Sequence, residues 1–206
     1  MTGVNHGRAG LIMAVAIPAL YPMEPECAIV CGGMCFIGSL APDIDSPSST
    51  ISKYVPLIPT LLNKMFGHRK LLHSPVFLIL FSLGLSALLG KVLPENMRQA
   101  IMIGFVAGFA LHIFLDMFTA GGSPLFYPFY SKNISLTKRK SGAKGEVFVM
   151  LGCCLFLIIT TYLYKSGILG PWFEALKNWI QACFFCVAIN LDSAIIYLRD
   201  RRKEQM

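Results

Sequence analysis

Ala100–Gly122 reads AIMIGFVAGFALHIFLDMFTAGG. A run this long and this apolar is long enough to cross a bilayer as one helix. Near its end it carries His112 and Asp116, four residues apart. On a helix that spacing stacks both side chains on one face, so an imidazole and a carboxylate reach one point together. A mid-membrane Asp costs roughly 2.5–3.5 kcal/mol, and such groups persist where they face protein, water or a metal. The rest of the chain reads as a set of segments bringing further ligands to that pair.

The composition agrees with a membrane protein. Of 206 residues 55% are hydrophobic and 14% charged, with a mean hydropathy of +0.62, far outside the range of soluble domains. Arg8 alone precedes the first apolar run, and Pro18, Pro22 and Pro25 follow it where a small-residue cleavage site would stand. The first run is therefore expected to stay as an anchor and not to be removed as a signal peptide. All seven cysteines lie within apolar segments, an odd number with no extramembrane pattern. That argues against a disulfide framework and for small packing residues, the Cys183-x-x-Cys186 pair included.

In chain order, Ala9–Tyr21 and Cys27–Ala41 are two short apolar stretches joined by the turn Pro22–Pro25, a hairpin that returns the chain to the side it left. Asp43 and Asp45 follow in LAPDIDSP, read as an extended turn between Pro42 and Pro47. Residues 51–66 place Leu57, Ile58, Leu61, Leu62, Met65 and Phe66 on one face, the pattern of an interfacial helix. In GHRKLLHSP, Ser74 reads as an N-cap and Pro75 as the first residue of a span ending near Leu93. That holds His73 at the membrane entrance, with His68 five residues before it. The Ala100 span then runs back to the same side. A long loop follows, with the interfacial aromatics Phe126, Tyr127, Phe129 and Tyr130 and the cations Lys138, Arg139, Lys140 and Lys144. Glu146 opens the next span, and residues 179–198 read as the last. Of the 18 lysines and arginines only Lys91, Arg98, Lys165 and Lys177 fall on the side away from the histidines. The positive-inside rule therefore puts the candidate site at the cytoplasmic face.

The expected fold is an all-α polytopic membrane helix bundle of about four to six membrane segments. It includes the short N-terminal hairpin and an interfacial helix at the cytoplasmic face. All four histidines, His6, His68, His73 and His112, gather at that face with Asp43, Asp45, Asp116 and Glu146. Mixed imidazole and carboxylate ligands suit zinc, or manganese, better than calcium.

The N-terminal His, LAPDID, HRKLLHS and HIFLDMFTAGGSPLFYPF ahead of a late Glu resemble the YdjM-type inner-membrane proteins, over roughly residues 1–165. The family's usual HRGxTHS carries Gly and Thr where this chain has Lys70 and Leu72. The resemblance implies a predicted metal-dependent hydrolase of the bacterial inner membrane under DNA-damage control. Its implied metal ligands are His6, Asp43 or Asp45, His68, His73, His112, Asp116 and Glu146. On this basis residues 1–165 are expected to form the hydrolase domain, with 166–206 a C-terminal membrane segment and basic tail.

The reaction expected is metal-assisted hydrolysis of a phosphoester or lipid-like substrate. Asp43 would orient the water, with Asp45 among the ligands, and Arg69 would clamp a phosphate. The basic loop would draw anionic lipid. The rival readings are a divalent-cation transporter and a non-catalytic scaffold. No aromatic-basic motif of a nucleic-acid binder is present.

Overall fold

The computed structural model describes residues 1–46, 70–143, 145–171 and 174–175. The interfacial helix expected at 51–66, the last span at 179–198, and His68, Arg69 and Lys144 lie outside the described residues. Five α-helices are described: α1 (Gly3–Leu20), α2 (Pro25–Leu40), α3 (Pro75–Leu89), α4 (Glu95–Asp116) and α5 (Glu146–Lys165). Short 3-10 turns at Ala41–Asp45 and Leu71–His73 extend α2 and lead into α3. Among the described residues there is no strand, only an isolated antiparallel bridge between Ser123 and Ile134.

The chain is a helical membrane protein. Pro25–Asp45, Glu95–Asp116 and Glu146–Lys165 are each long and apolar enough to cross a bilayer, and Pro75–Leu89 is a shorter apolar helix. Helix ends follow local chemistry. Proline stands in the first turn of α2 and of α3, where its missing N–H costs nothing. Ser74 caps α3 as expected, its Oγ accepting from Phe77 N at 3.1 Å. Two differences from the sequence reading bear on the site. Helix α1 begins at Gly3, so His6 is a helical residue and not part of a flanking tail. Asp43 and Asp45 sit on the 3-10 turn, not in an extended one, because Pro42 falls where the winding chain needs no donor.

Helices α1 and α2 pack antiparallel. A Cβ at Gly7 would meet Phe36 and Leu40, and one at Gly32 would lie 3.1 Å from the Ala14 carbonyl. Pro18 has no N–H to offer that carbonyl, so the close glycine shields an acceptor that lipid cannot satisfy. Helices α2 and α4 run parallel and touch backbone to backbone. A side chain at Gly104 would collide with the Cys31 carbonyl, one at Gly108 with that of Cys35, and one at Gly38 with that of Phe105. The spacing Gly104-x-x-x-Gly108 is the small-residue seam by which membrane helices approach closely, since lipid leaves packing to drive association.

Helix α4 is the centre of the bundle. Leu111 and Leu115 pack with Met1, Ala9, Met150 and Cys154, and Ala100 with Ile17, Cys27, Cys31 and Cys35. Phe105, Phe109 and Ile113 pack with Leu78 of α3. The described cysteines are free thiols in these packed layers, as expected. Contacts divide the chain into 1–158 and 159–206. Every described candidate site residue lies in the first unit. The described part of the second includes the end of α5 and a turn in which Gly167 has φ 80.

Candidate metal centre

Antiparallel α1 and parallel α2 and α4 bring three chain ends to one place: the first turn of α1, the 3-10 turn after α2 and the last turn of α4. The 3-10 turn Leu71–His73 joins them there. His6, Asp45, His73, His112 and Asp116 are all within 1% of full burial. The Asp43 side chain, at 14% exposed, is the site's contact with its surroundings.

Ligand atoms of four side chains from three elements approach one another in pairs. His73 Nε2 lies 3.5 Å from Asp43 Oδ1 and 3.8 Å from Asp116 Oδ2. His112 Nε2 lies 3.7 Å from that same Asp43 oxygen and 3.6 Å from that same Asp116 oxygen. These separations are too long for hydrogen bonds. Tetrahedral zinc with bonds of about 2.0–2.2 Å would hold its ligand atoms about 3.3–3.6 Å apart, a spacing these pairs approach, and the imidazole and carboxylate donor types suit a divalent ion. Two groups of three have all their ligand atoms within 4.8 Å of one another: His73, His112 and Asp116, and His6, Asp43 and His112.

The rings are oriented by their other atoms. His112 Nδ1 donates to the Ser39 carbonyl at 2.7 Å, which leaves Nε2 bare. That nitrogen has no hydrogen-bond partner among the described residues. His6 Nε2 donates to Asp116 Oδ1 at 3.2 Å, and its ring stacks on His112 with centroids 3.7 Å apart. His6 Nδ1 likewise has no partner among the described residues. Outer contacts that fix the tautomer in this way are what a metal-ligating imidazole needs. Burial pulls His73 below its ordinary 6.5, against the opposing pull of the Asp43 carboxylate, a direction that favours the neutral imidazole a metal ligand must be.

The structure distributes the expected residues unevenly. It gathers His6, Asp43, His73, His112 and Asp116. Asp45 stands behind His73, with Oδ2 3.7 Å from Nδ1, on the far side of the ring from Asp43 and Asp116. Glu146 belongs to neither ligand group. It is held instead by the first turn of α1, through Thr2 N at 2.9 Å and Asn5 Nδ2 at 2.8 Å. Three contributors escape the sequence reading. The Met1 nitrogen donates to Asp116, the Ser39 carbonyl holds His112, and Ser123 Oγ donates to the His73 carbonyl at 3.1 Å. Two are backbone groups and carry no residue-type signal. Ser39 is delivered by the α2–α4 seam along Gly104 and Gly108.

The model of the family described as YdjM inner membrane protein matches residues 1–191. The chain belongs to that family. A Bacillus subtilis (strain 168) protein named "Uncharacterized protein YvsG" is 28% identical over 167 residues, 81% of this chain and 98% of its own. The YdjM proteins of Escherichia coli (strain K12) and Shigella flexneri, each named "Inner membrane protein YdjM", are 26% identical over 148 residues. That alignment covers 70% of this chain and 74% of theirs. No solved structure matches. As a YdjM-family chain with apolar spans this is an inner membrane protein, and its buried His/Asp groups could bind a metal ion.

Proposed function

We propose that residues 1–165 form a membrane-bound metal-dependent hydrolase that acts on a phosphoester or lipid-like substrate at the cytoplasmic face. The observation that carries the reading is the ring of four separations, 3.5–3.8 Å, among His73, His112, Asp43 and Asp116. Four convergent donors buried in a bilayer protein are costly to maintain unless an ion repays them.

His73, His112 and Asp116 would hold the ion, zinc before manganese for an N/O set of this kind, which leaves a position open towards Asp43. A bound zinc would supply Lewis acidity and a water whose pKa falls to about 7. The chain's own residues prepare the site. The Ser39 carbonyl orients the His112 imidazole. Asp43, the partly exposed carboxylate, stands where substrate and water enter and accepts a proton there. Arg69, four residues before His73, supplies the bidentate clamp for a phosphate oxygen. The loop 117–145 carries five cations and no acid, which supports a cytoplasmic placement and anionic phospholipid as substrate.

The transport reading needs polar groups continuing through the membrane. At the far end of the described helices Ser86 and Gln99 are engaged with Arg98 and Glu95, which favours a site closed on that side. Elemental analysis of detergent-purified protein tests the proposal, followed by hydrolysis assays on phosphodiesters and phospholipid vesicles. Stoichiometric zinc or manganese in the wild type, lost in His73→Ala and Asp116→Ala together with hydrolysis, is expected. A wild type that binds metal but cleaves none of these substrates would leave the cluster a structural centre.

A further inference from the structure

Glu146 is 6% exposed at the start of α5, and its carboxylate is engaged by four donors. Oε1 accepts from Thr2 N at 2.9 Å. Oε2 accepts from Asn5 Nδ2 at 2.8 Å, Thr2 Oγ1 at 3.2 Å and Gly142 N at 3.3 Å. The carboxylate is thus held through both oxygens, with three of the donors on Oε2. Three of the four donors come from residues 2 and 5, the two that bound the opening turn of α1. Within that turn Asn5 N and His6 N both donate to the Thr2 carbonyl, at 2.9 and 3.1 Å.

Helix α1 has no side-chain cap of its own, and the Thr2 hydroxyl donates to Glu146. The Asn5 amide is oriented from its other end, where Oδ1 accepts from Arg8 Nη1 at 3.4 Å. Successive helical residues project about 100° apart. Pinning Asn5 to Glu146 therefore sets the direction in which His6 leaves the helix. That direction lays His6 against Asp116 at 3.2 Å and flat on His112.

We propose that Glu146 is a positioning residue for the metal centre: it fixes the rotation of α1 through Thr2 and Asn5, and so presents His6 to Asp116 and His112, without ligating the ion itself. The proposal rests on the metal-centre reading above. It reassigns a carboxylate that the sequence places among the ligands.

A double-mutant cycle on the full-length, detergent-purified chain tests it, with zinc affinity and stoichiometry measured by competition against a chromophoric chelator. The chains compared are wild type, Glu146→Gln, His6→Ala, their combination, and the exchange Asn5→Asp with Glu146→Gln. Glu146→Gln is expected to bind as many zinc ions as wild type with affinity weakened about 10- to 100-fold, the usual cost of losing an outer contact. In the His6→Ala background the same change should add little, because the residue it positions is gone. The exchanged pair, with carboxylate and amide in each other's places, should recover most of the affinity. Should Glu146→Gln fail to fold, Asn5→Ala takes its place with the same expectations. Fewer ions bound by Glu146→Gln, full additivity with His6→Ala, or no recovery on exchange would each overturn the positioning role and leave the metal centre standing. A wild type that binds no zinc overturns both.

Discussion

Helices α3 and α4 are neighbours of similar apolar character with opposite fates. In α3, PVFLILFSLGLSALL, only Leu78 is buried, while Leu80 and Leu83 are 63% and 64% exposed. In α4 ten residues are buried, among them Gly104, Gly108, His112 and Asp116. The more uniformly apolar helix faces outward, and the one interrupted by glycines and ionisable groups forms the core. In a bilayer an apolar side chain gains nothing by leaving lipid for protein, so close packing and satisfied polar groups decide which helix lies inside.

The sharpest way to break this contrast is to place the same side chain in both helices. Gly108→Leu drives a side chain into the Cys35 carbonyl and should leave almost no folded protein, a loss of at least about 3 kcal/mol. Gly84→Leu, where nothing lies within 4 Å of a new Cβ, should stay within about 0.5 kcal/mol of wild type. Retention of a monodisperse gel-filtration peak on heating reads both. If the two variants behave alike, the seam is not what holds α4 in place.

An effect of similar size belongs to the buried polar end of α4. Zinc at a thousand times its dissociation constant should stabilise the wild type by about 4 kcal/mol, read as a rise in Tm that a chelator reverses. In Asp116→Asn that rise should vanish. An equal rise in the variant would place the zinc somewhere other than this cluster.

The smallest effect is expected where α3 and α4 meet at their other end. There Arg98 Nη1 donates to Ser86 Oγ at 2.6 Å while the guanidinium pairs with Glu95. This clip is partly solvated, so Ser86→Ala should cost under about 1 kcal/mol and leave zinc binding unchanged. A larger loss would mean that the two ends of the bundle are coupled.

These two helices also show how far the sequence could be read. The His112–Asp116 face, the Ser74 cap and the return of the hairpin follow from local spacing and side-chain chemistry, and all three are present. The start of α1 was less legible, because residues 3–8 are too polar to announce a membrane helix and are held by partners more than a hundred positions away. The 3-10 turn at Asp43 was masked by prolines that also suit extended chain. The part played by Glu146 was hidden for another reason. A carboxylate at the start of a helix looks the same whether it awaits an ion or accepts hydrogen bonds, and only the donors around it decide. Glycines within α4 read as gaps in an apolar run until the helix against which they lie is known.

The contact between α2 and α4 has an effect beyond holding two helices together. The carbonyl that steers His112 is carried by α2, and the ring is carried by α4. The distance between the helix axes and the aim of the imidazole are therefore a single adjustable quantity. Any substitution that forces the pair apart by an ångström, even at Gly104 two turns below, swings a lone pair off target. Residues that never approach the polar cluster thus calibrate it, much as the thickness of a washer sets the reach of the bolt passed through it.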